Sequence, residues 1–200
     1  MNALVPGRPT FITAAAAAVL IVFLAVLFYI AGAMADPSPG GTLVAHQEFG
    51  LLPVAAGSTA TLLMEDALVP TDGQILLTAR YYEGELDSGY GLLLQGQIDS
   101  LAIAVSPLGY AAVWRQAGNE IPEPGAYVLP WQTWPHVHHG EDSNQILLTF
   151  IGPRIEARIN NELFWEGNFP TYSHRTGIIA LSSGLETTID FQALDIYEHK

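Results

Sequence analysis

Cysteine is absent from all 200 residues, which removes a disulfide framework, a zinc–thiolate site and a cysteine nucleophile together. Basic residues are scarce as well. Seven Lys and Arg face 20 Asp and Glu, a formal net charge of −13, and nucleic acid is excluded as a partner because binding it depends on cations that neutralise phosphates. Also missing are a Gly-rich phosphate loop ahead of a helix, a Gly-x-Ser-x-Gly elbow and an Asn-x-Ser/Thr glycosylation sequon. Only 14% of residues are charged against 50% hydrophobic, an unusual balance for a wholly soluble chain, and the excess has to be located before a fold is read.

It sits at the front. Residues 11–35, FITAAAAAVLIVFLAVLFYIAGAMA, carry no charge and no proline, and at ~1.5 Å per residue a helix over them outspans a hydrocarbon core of roughly 30 Å. Two readings compete, a cleaved signal peptide ending at Ala33-Met34-Ala35 and a retained single-span anchor. The length of the run, well beyond a signal h-region, favours the anchor. Arg8 precedes it and Asp36 follows it, so the positive-inside rule makes 1–10 a short cytoplasmic tail and sends the rest of the chain across the membrane, with Tyr29 as an interfacial aromatic. Ala18, Ala25 and Gly32 recur every seven residues and would let another transmembrane helix pack closely.

Asp36-Pro37-Ser38-Pro39-Gly40-Gly41 reads as a linker at 36–41, because its prolines forbid helix. Residues 42–200, about 160 in number, are enough for a full core without staples. They show short apolar or alternating runs between Gly, Pro, Asn and Asp, which predict strands at 43–49, 58–64, 74–81, 89–95, 100–106 and 109–116. Further strands are expected at 126–131, 144–151, 154–159, 162–166, 176–182 and 187–197. Over 154–160 Ile155, Ala157 and Ile159 point one way while Arg154, Glu156, Arg158 and Asn160 point the other. Asn160-Asn161 tolerates the positive φ of a hairpin turn into Glu162-Leu163-Phe164-Trp165. In the last strand the apolar parity changes between Phe191 and Leu194, which predicts a bulge near Gln192 or Ala193. Strands 89–95 and 144–151 are apolar on both parities, favouring a two-layer antiparallel sandwich over a thin barrel. The expected fold is all-β, preceded by one transmembrane helix.

The order of these signals resembles a known group. Tyr90-Gly91-Leu92-Leu93-Leu94, Gly109-Tyr110-Ala111-Ala112-Val113-Trp114-Arg115, Pro130-Trp131, Asn144-Gln145-Ile146-Leu147-Leu148, Arg158-Ile159-Asn160-Asn161-Glu162, Gly177-Ile178-Ile179-Ala180-Leu181 and Ile189-Asp190-Phe191 are similar to laminin-G-like and concanavalin A-like jelly rolls. The bacterial keto-disaccharide hydrolase-like branch ends on a similar strand with a Phe-Asp pair, here in the order Asp190-Phe191. The likeness covers about residues 42–198 and rests on core and turn positions, so it speaks to fold far more than to activity. It implies glycan or protein binding, sometimes through calcium, and in some branches glycosidic cleavage.

Three segments carry candidate chemistry. Glu83, Glu85 and Asp87 alternate, and on a strand they would share a face as a glycosidase's acid and nucleophile must. Gly84 and the position between predicted strands make a solvated acidic loop the stronger reading. These acids, or Asp72, Asp99, Glu141 and Asp142, could ligate calcium, although no dense ligand loop is present and no other cofactor is implied. Trp131-Gln132-Thr133-Trp134-Pro135-His136-Val137-His138-His139-Gly140 is the most distinctive string: Trp131, Trp134, His136 and His138 could form an aromatic platform for a sugar or a protein partner. Against that, Trp131 could simply cap the core. Zinc there would need a further ligand such as His174. The sequence thus predicts a membrane-anchored extracytoplasmic module binding a glycan or protein, with a single-span accessory subunit of a membrane complex and a carbohydrate-active hydrolase as alternatives.

Overall fold

The computed structural model describes residues 18–27, 39–96, 99–116, 122–169 and 175–199. The chain divides into two compact units, Met1–Ser38 and Pro39–Lys200. In the first, residues 18–27 form an α-helix whose every position is exposed, Ala18 and Ala25 included. This is the middle of the expected 11–35 span; Tyr29 and Gly32 lie outside the described residues. Among the described residues no helix is long and apolar enough to cross a membrane.

The second unit is built of strands β1 (Thr42–Gln47), β2 (Gly50–Val54), β3 (Thr59–Leu68), β4 (Asp72–Gly84), β5 (Ser88–Gln95), β6 (Ser100–Val105) and β7 (Tyr110–Gln116). These are followed by β8 (Tyr127–Thr133), β9 (Asn144–Ile151), β10 (Arg154–Ile159), β11 (Glu162–Asn168), β12 (Arg175–Ser182) and β13 (Thr187–Glu198). A seven-stranded sheet has the order β1-β13-β4-β9-β10-β11 with β2 also on β13, and a six-stranded sheet has the order β3-β12-β5-β6-β7-β8. Every pairing is antiparallel, as the alternating patterns required.

The sheets enclose one core, in which Tyr90, Leu92, Ile103, Phe150, Ile155, Phe191 and their neighbours are buried. Tyr90 meets Phe191 edge-on at 6.5 Å between ring centroids, an arrangement the ring quadrupoles favour. Ile155, Ala157 and Ile159 face inward as their alternation demands. Asn160 and Asn161 take φ of 48° and 76°, the left-handed pair of a two-residue hairpin turn. The β13 register slips between Phe191 and Ala193, which places the bulge on Gln192.

One expected strand is corrected. The run 43–49 ends at Gln47, and a separate strand starts at Gly50, whose φ of 70° turns the chain. β1 and β2 then lie end to end along β13, β2 on its Thr187–Phe191 half and β1 on the half after the bulge. Pro53 is tolerated in β2 because that strand is bonded on one side only.

The central strands β12, β5, β6 and β7 of the six-stranded sheet bury both of their faces. Away from the main core, Leu93, Ala102, Ala104, Ala112, Trp114, Ile179 and Leu181 form a second buried cluster, with Leu63, Tyr127 and Trp131 packed against it. That explains why the 89–95 run is apolar on both parities.

Candidate functional site

A cleft of about 670 Å³ opens at one end of the six-stranded sheet, lined by Asp87, Ser88, Ser106, Leu108, Tyr110, Tyr127, Trp131, Leu181 and Ser183. The register gathers these positions. Ser182 pairs with Ser88, Tyr90 with Val105, Val105 with Ala111 and Tyr110 with Thr133, so the start of β5, the β6–β7 turn and the end of β12 converge.

The aromatic wall comes from β7 and β8. Trp131 reaches the second cluster because Gly89 has no side chain: a Cβ there would stand 2.7 Å from the Trp131 indole. Its ring lies 6.0 Å from the fully buried Trp114, which in turn lies 6.2 Å from Tyr127. Trp114 therefore fixes two of the lining aromatics from behind. Tyr110 and Leu108 are about 38% and 42% exposed, so apolar surface faces solvent at the mouth.

The polar rim is made by two loops. Glu85 Oε2 accepts the backbone N–H groups of Leu185 (2.6 Å) and Gly184 (2.7 Å), and the Ser182 hydroxyl at 3.4 Å. These donors, Leu185 foremost, hold the Glu85 carboxyl below the usual range. The Ser182 hydroxyl oxygen also lies within hydrogen-bond reach of the Leu185 carbonyl, so its one proton is shared between the two acceptors. Ser183 Oγ donates to Asp87 Oδ2 at 2.8 Å and is 2.8 Å from the Asp87 carbonyl. The β4–β5 and β12–β13 loops are thereby laced together, and the lacing presents Asp87 and Ser183 to the cleft.

Glu83, Glu85 and Asp87 do not share a strand face. β4 ends at Gly84, whose φ of 106° and close approach to the Glu186 carbonyl admit no side chain, and Glu85 and Asp87 follow in the loop. Glu83 is exposed at the end of β4.

The Trp–His string is divided. Trp131 lines the cleft, whereas Trp134, past the end of β8, packs on the main core with its ring 5.3 Å from Phe164 and 5.6 Å from His136. His138 is tied into its own loop: its N–H donates to Asn144 Oδ1 at 2.8 Å, and its Nδ1 lies 2.8 Å from the Ser143 carbonyl. His139 lies against Gly109. Of the four residues expected to make one platform, only Trp131 reaches the cleft; His174 lies outside the described residues.

The candidate calcium ligands are dispersed. Asp72 faces His199 at 3.3 Å, Asp99 faces Arg115 at 3.6 Å, and Glu141 and Asp142 sit on the β8–β9 loop. Among the described residues no group of three His, Asp or Glu side chains could hold a metal ion. Asp190, which carried the likeness to the hydrolase branch, accepts the Arg80 Nε–H at 3.0 Å, and Phe191 is core.

Sequence reasoning missed Tyr110, Tyr127, Leu108, Leu181 and Ser183 as site residues. The signal that could have found them is the double apolar parity of the sheet. A surface that is apolar on both sides must be covered or must bind something, and aromatics on its last two strands mark where.

The chain matches no protein-family model and no curated protein. Solved structures do match. Those with similar backbones include the catalytic domain of an endo-1,3-beta-glucanase (laminarinase) from Thermotoga petrophila RKU-1, at TM-score 0.53 and 10% identity over 82% of this chain and 100% of that one. The Crh5 transglycosylase in complex with NAG aligns at TM-score 0.56 and 9% identity over 80% and 77%. The potassium-bound carbohydrate recognition domain of Emp46p aligns at 0.55 and 12% over 78% and 88%. The body shares the jelly-roll sandwich fold of these structures. At such identities the likeness is one of fold.

Proposed function

We propose that the chain is a non-catalytic glycan-binding module, held on the outer side of a membrane by its apolar segment 11–35. The observation that carries this reading is the cleft: three aromatic side chains and two leucines form an apolar wall, and a carboxylate and serine hydroxyls stand at its rim. Sugar rings need both, since their C–H faces lie on aromatic surface while their hydroxyls take hydrogen bonds from a few placed polar groups. Jelly rolls of similar backbone include a carbohydrate recognition domain, a laminarinase and a transglycosylase bound to NAG, which supports the class of ligand without fixing it.

A binding role is favoured over hydrolysis by the use made of the acids. Glu85 is occupied by two backbone N–H donors that keep it charged, which suits a structural clamp and not a proton donor. Among the described residues no second carboxylate lines the cleft opposite Asp87.

The test is affinity electrophoresis of detergent-solubilised full chain through gels containing neutral and charged polysaccharides. Retardation by at least one is expected, and Trp131→Ala and Tyr110→Ala should each weaken it by about ten-fold or more, the range of a central aromatic contact. Unchanged retardation in both variants would remove the cleft from the reading. The anchor is tested by alkaline carbonate extraction: the chain should stay with the membrane, and a mature protein starting at Asp36 would show the segment to be a leader.

A further inference from the structure

We infer that the cleft selects glycans bearing a protonated amine, as in de-N-acetylated amino sugars, over their N-acetylated and acidic counterparts. This rests on the glycan reading above and concerns the charge of the sugar. Among the described residues Asp87 is the one charged side chain that lines the cleft, with no Lys, Arg or His beside it there. Among the described residues its carboxylate accepts from the Ser183 hydroxyl alone, and no ion pair there includes Glu83, Glu85 or Asp87. The described basic side chains that have partners are engaged elsewhere: Arg80 on Asp190, Arg154 on Glu156 and Glu166, Arg115 on Asp99, and Arg158 on the Asn161 carbonyl.

An unneutralised carboxylate beside Tyr110, Tyr127 and Trp131 is a site for a cation. The ring faces attract an ammonium through their quadrupoles, and the carboxylate adds a charge-assisted hydrogen bond. The same geometry rejects uronate, sulfate and phosphate, since an anion there would meet a like charge and no counter-cation. The chain's net charge of −13 works in the same direction at longer range.

The experiment is calorimetric titration of the solubilised full chain at pH 6 in about 0.15 M salt, where charges farther than ~8 Å are largely screened. The titrants are a glucosamine trisaccharide, its fully N-acetylated form and a galacturonic acid trisaccharide. The free-amine trimer should bind about ten-fold tighter than the acetylated one, the scale of one cation–π or charge-assisted contact, and the acidic trimer weakest. In Asp87→Asn, which keeps an acceptor for Ser183, the ratio should fall to within about two-fold. Glu162→Gln, on the remote edge strand β11, should leave the ratio intact. Equal binding of amine and acetylated trimers, or a ratio that survives Asp87→Asn, overturns the inference while leaving the glycan reading in place. Binding of none of the trimers, together with no retardation by any polysaccharide, overturns both.

Discussion

The two sheets of this sandwich share one core and differ on their outer faces. Outside the seven-stranded sheet the chain places ion pairs, Arg80 on Asp190 and Arg154 on Glu156 and Glu166, each partly exposed. Outside the six-stranded sheet it places Leu93, Ala102, Ala104, Ala112, Trp114, Ile179 and Leu181, all buried. A wet face needs only solubility, and many sequences satisfy it. A face paved with small apolar residues and bordered by aromatics is a more specific construction, because Gly89 and the alanines keep its floor low enough for the Trp131 indole to lie across it. The face that resembles a core borders the cleft through Leu181, Tyr127 and Trp131, and the contrast between the faces can be tested residue by residue.

The largest effects belong to the shared core, where neither face matters. Phe191→Ala removes a fully buried ring that meets Tyr90 edge-on and should cost about 3–5 kcal/mol in chemical denaturation, with cooperativity retained. Asn144→Leu comes next. Its buried amide accepts from the His138 N–H and from Asn160 Nδ2 and donates to the Tyr90 hydroxyl and the His138 carbonyl. Losing it strands several buried groups at once, and about 2–4 kcal/mol should follow. The Tyr90 hydroxyl, its pKa pushed up to about 12 by burial, should not be titrated by ultraviolet absorbance before the fold is lost in alkali.

How much of this was legible depends on range. Short-range signals carried nearly all the strands: the Ile155, Ala157, Ile159 alternation, the Asn160-Asn161 turn and the parity change at Gln192 each sit within a few residues of their cause. Strand β2 was missed: no strand was expected between 49 and 58, because Pro53 argues against one except where a strand is bonded on one side only, as β2 is. The cleft was half legible. Trp131 and Trp134 are three residues apart and were read as one platform, yet β8 ends between them and they enter different clusters. Tyr110 and Ser183 join Trp131 only through the pairing of β12, β5, β6, β7 and β8, and such long-range register has no local trace.

On the wet face the effects should shrink. Arg154→Ala removes two exposed ion pairs and should change stability by less than about 1 kcal/mol, with glycan retardation unaltered. A larger change in either would mean that the two outer faces are not as different as their residues make them.

The smallest effect is set by pH at the β1–β13 edge. His46 Nδ1 lies 2.6 Å from Asp195 Oδ1, and Glu48 lies 3.8 Å from the other ring nitrogen. The hydrogen bond to Asp195, with the nearby negative charges, raises the His46 pKa above its ordinary 6.5 against an opposing desolvation. A raised folded value means that the protonated ring binds its proton more tightly in the folded chain. The stabilisation is then fully present below pH 6.5 and is lost as pH rises through the folded value. Both partners touch solvent, so the shift in Tm will be slight. Thermal melts of wild type and His46→Gln from pH 5.5 to 8.5 should differ at the acid end and converge at the alkaline end. The Glu85 clamp behaves in the opposite sense, since its lowered pKa makes it stabilising above about 4.5 and lost as pH falls. Acid should therefore loosen the rim of the cleft while His46 still holds the opposite sheet's edge, and His46→Gln curves that diverge with rising pH would contradict the assignment.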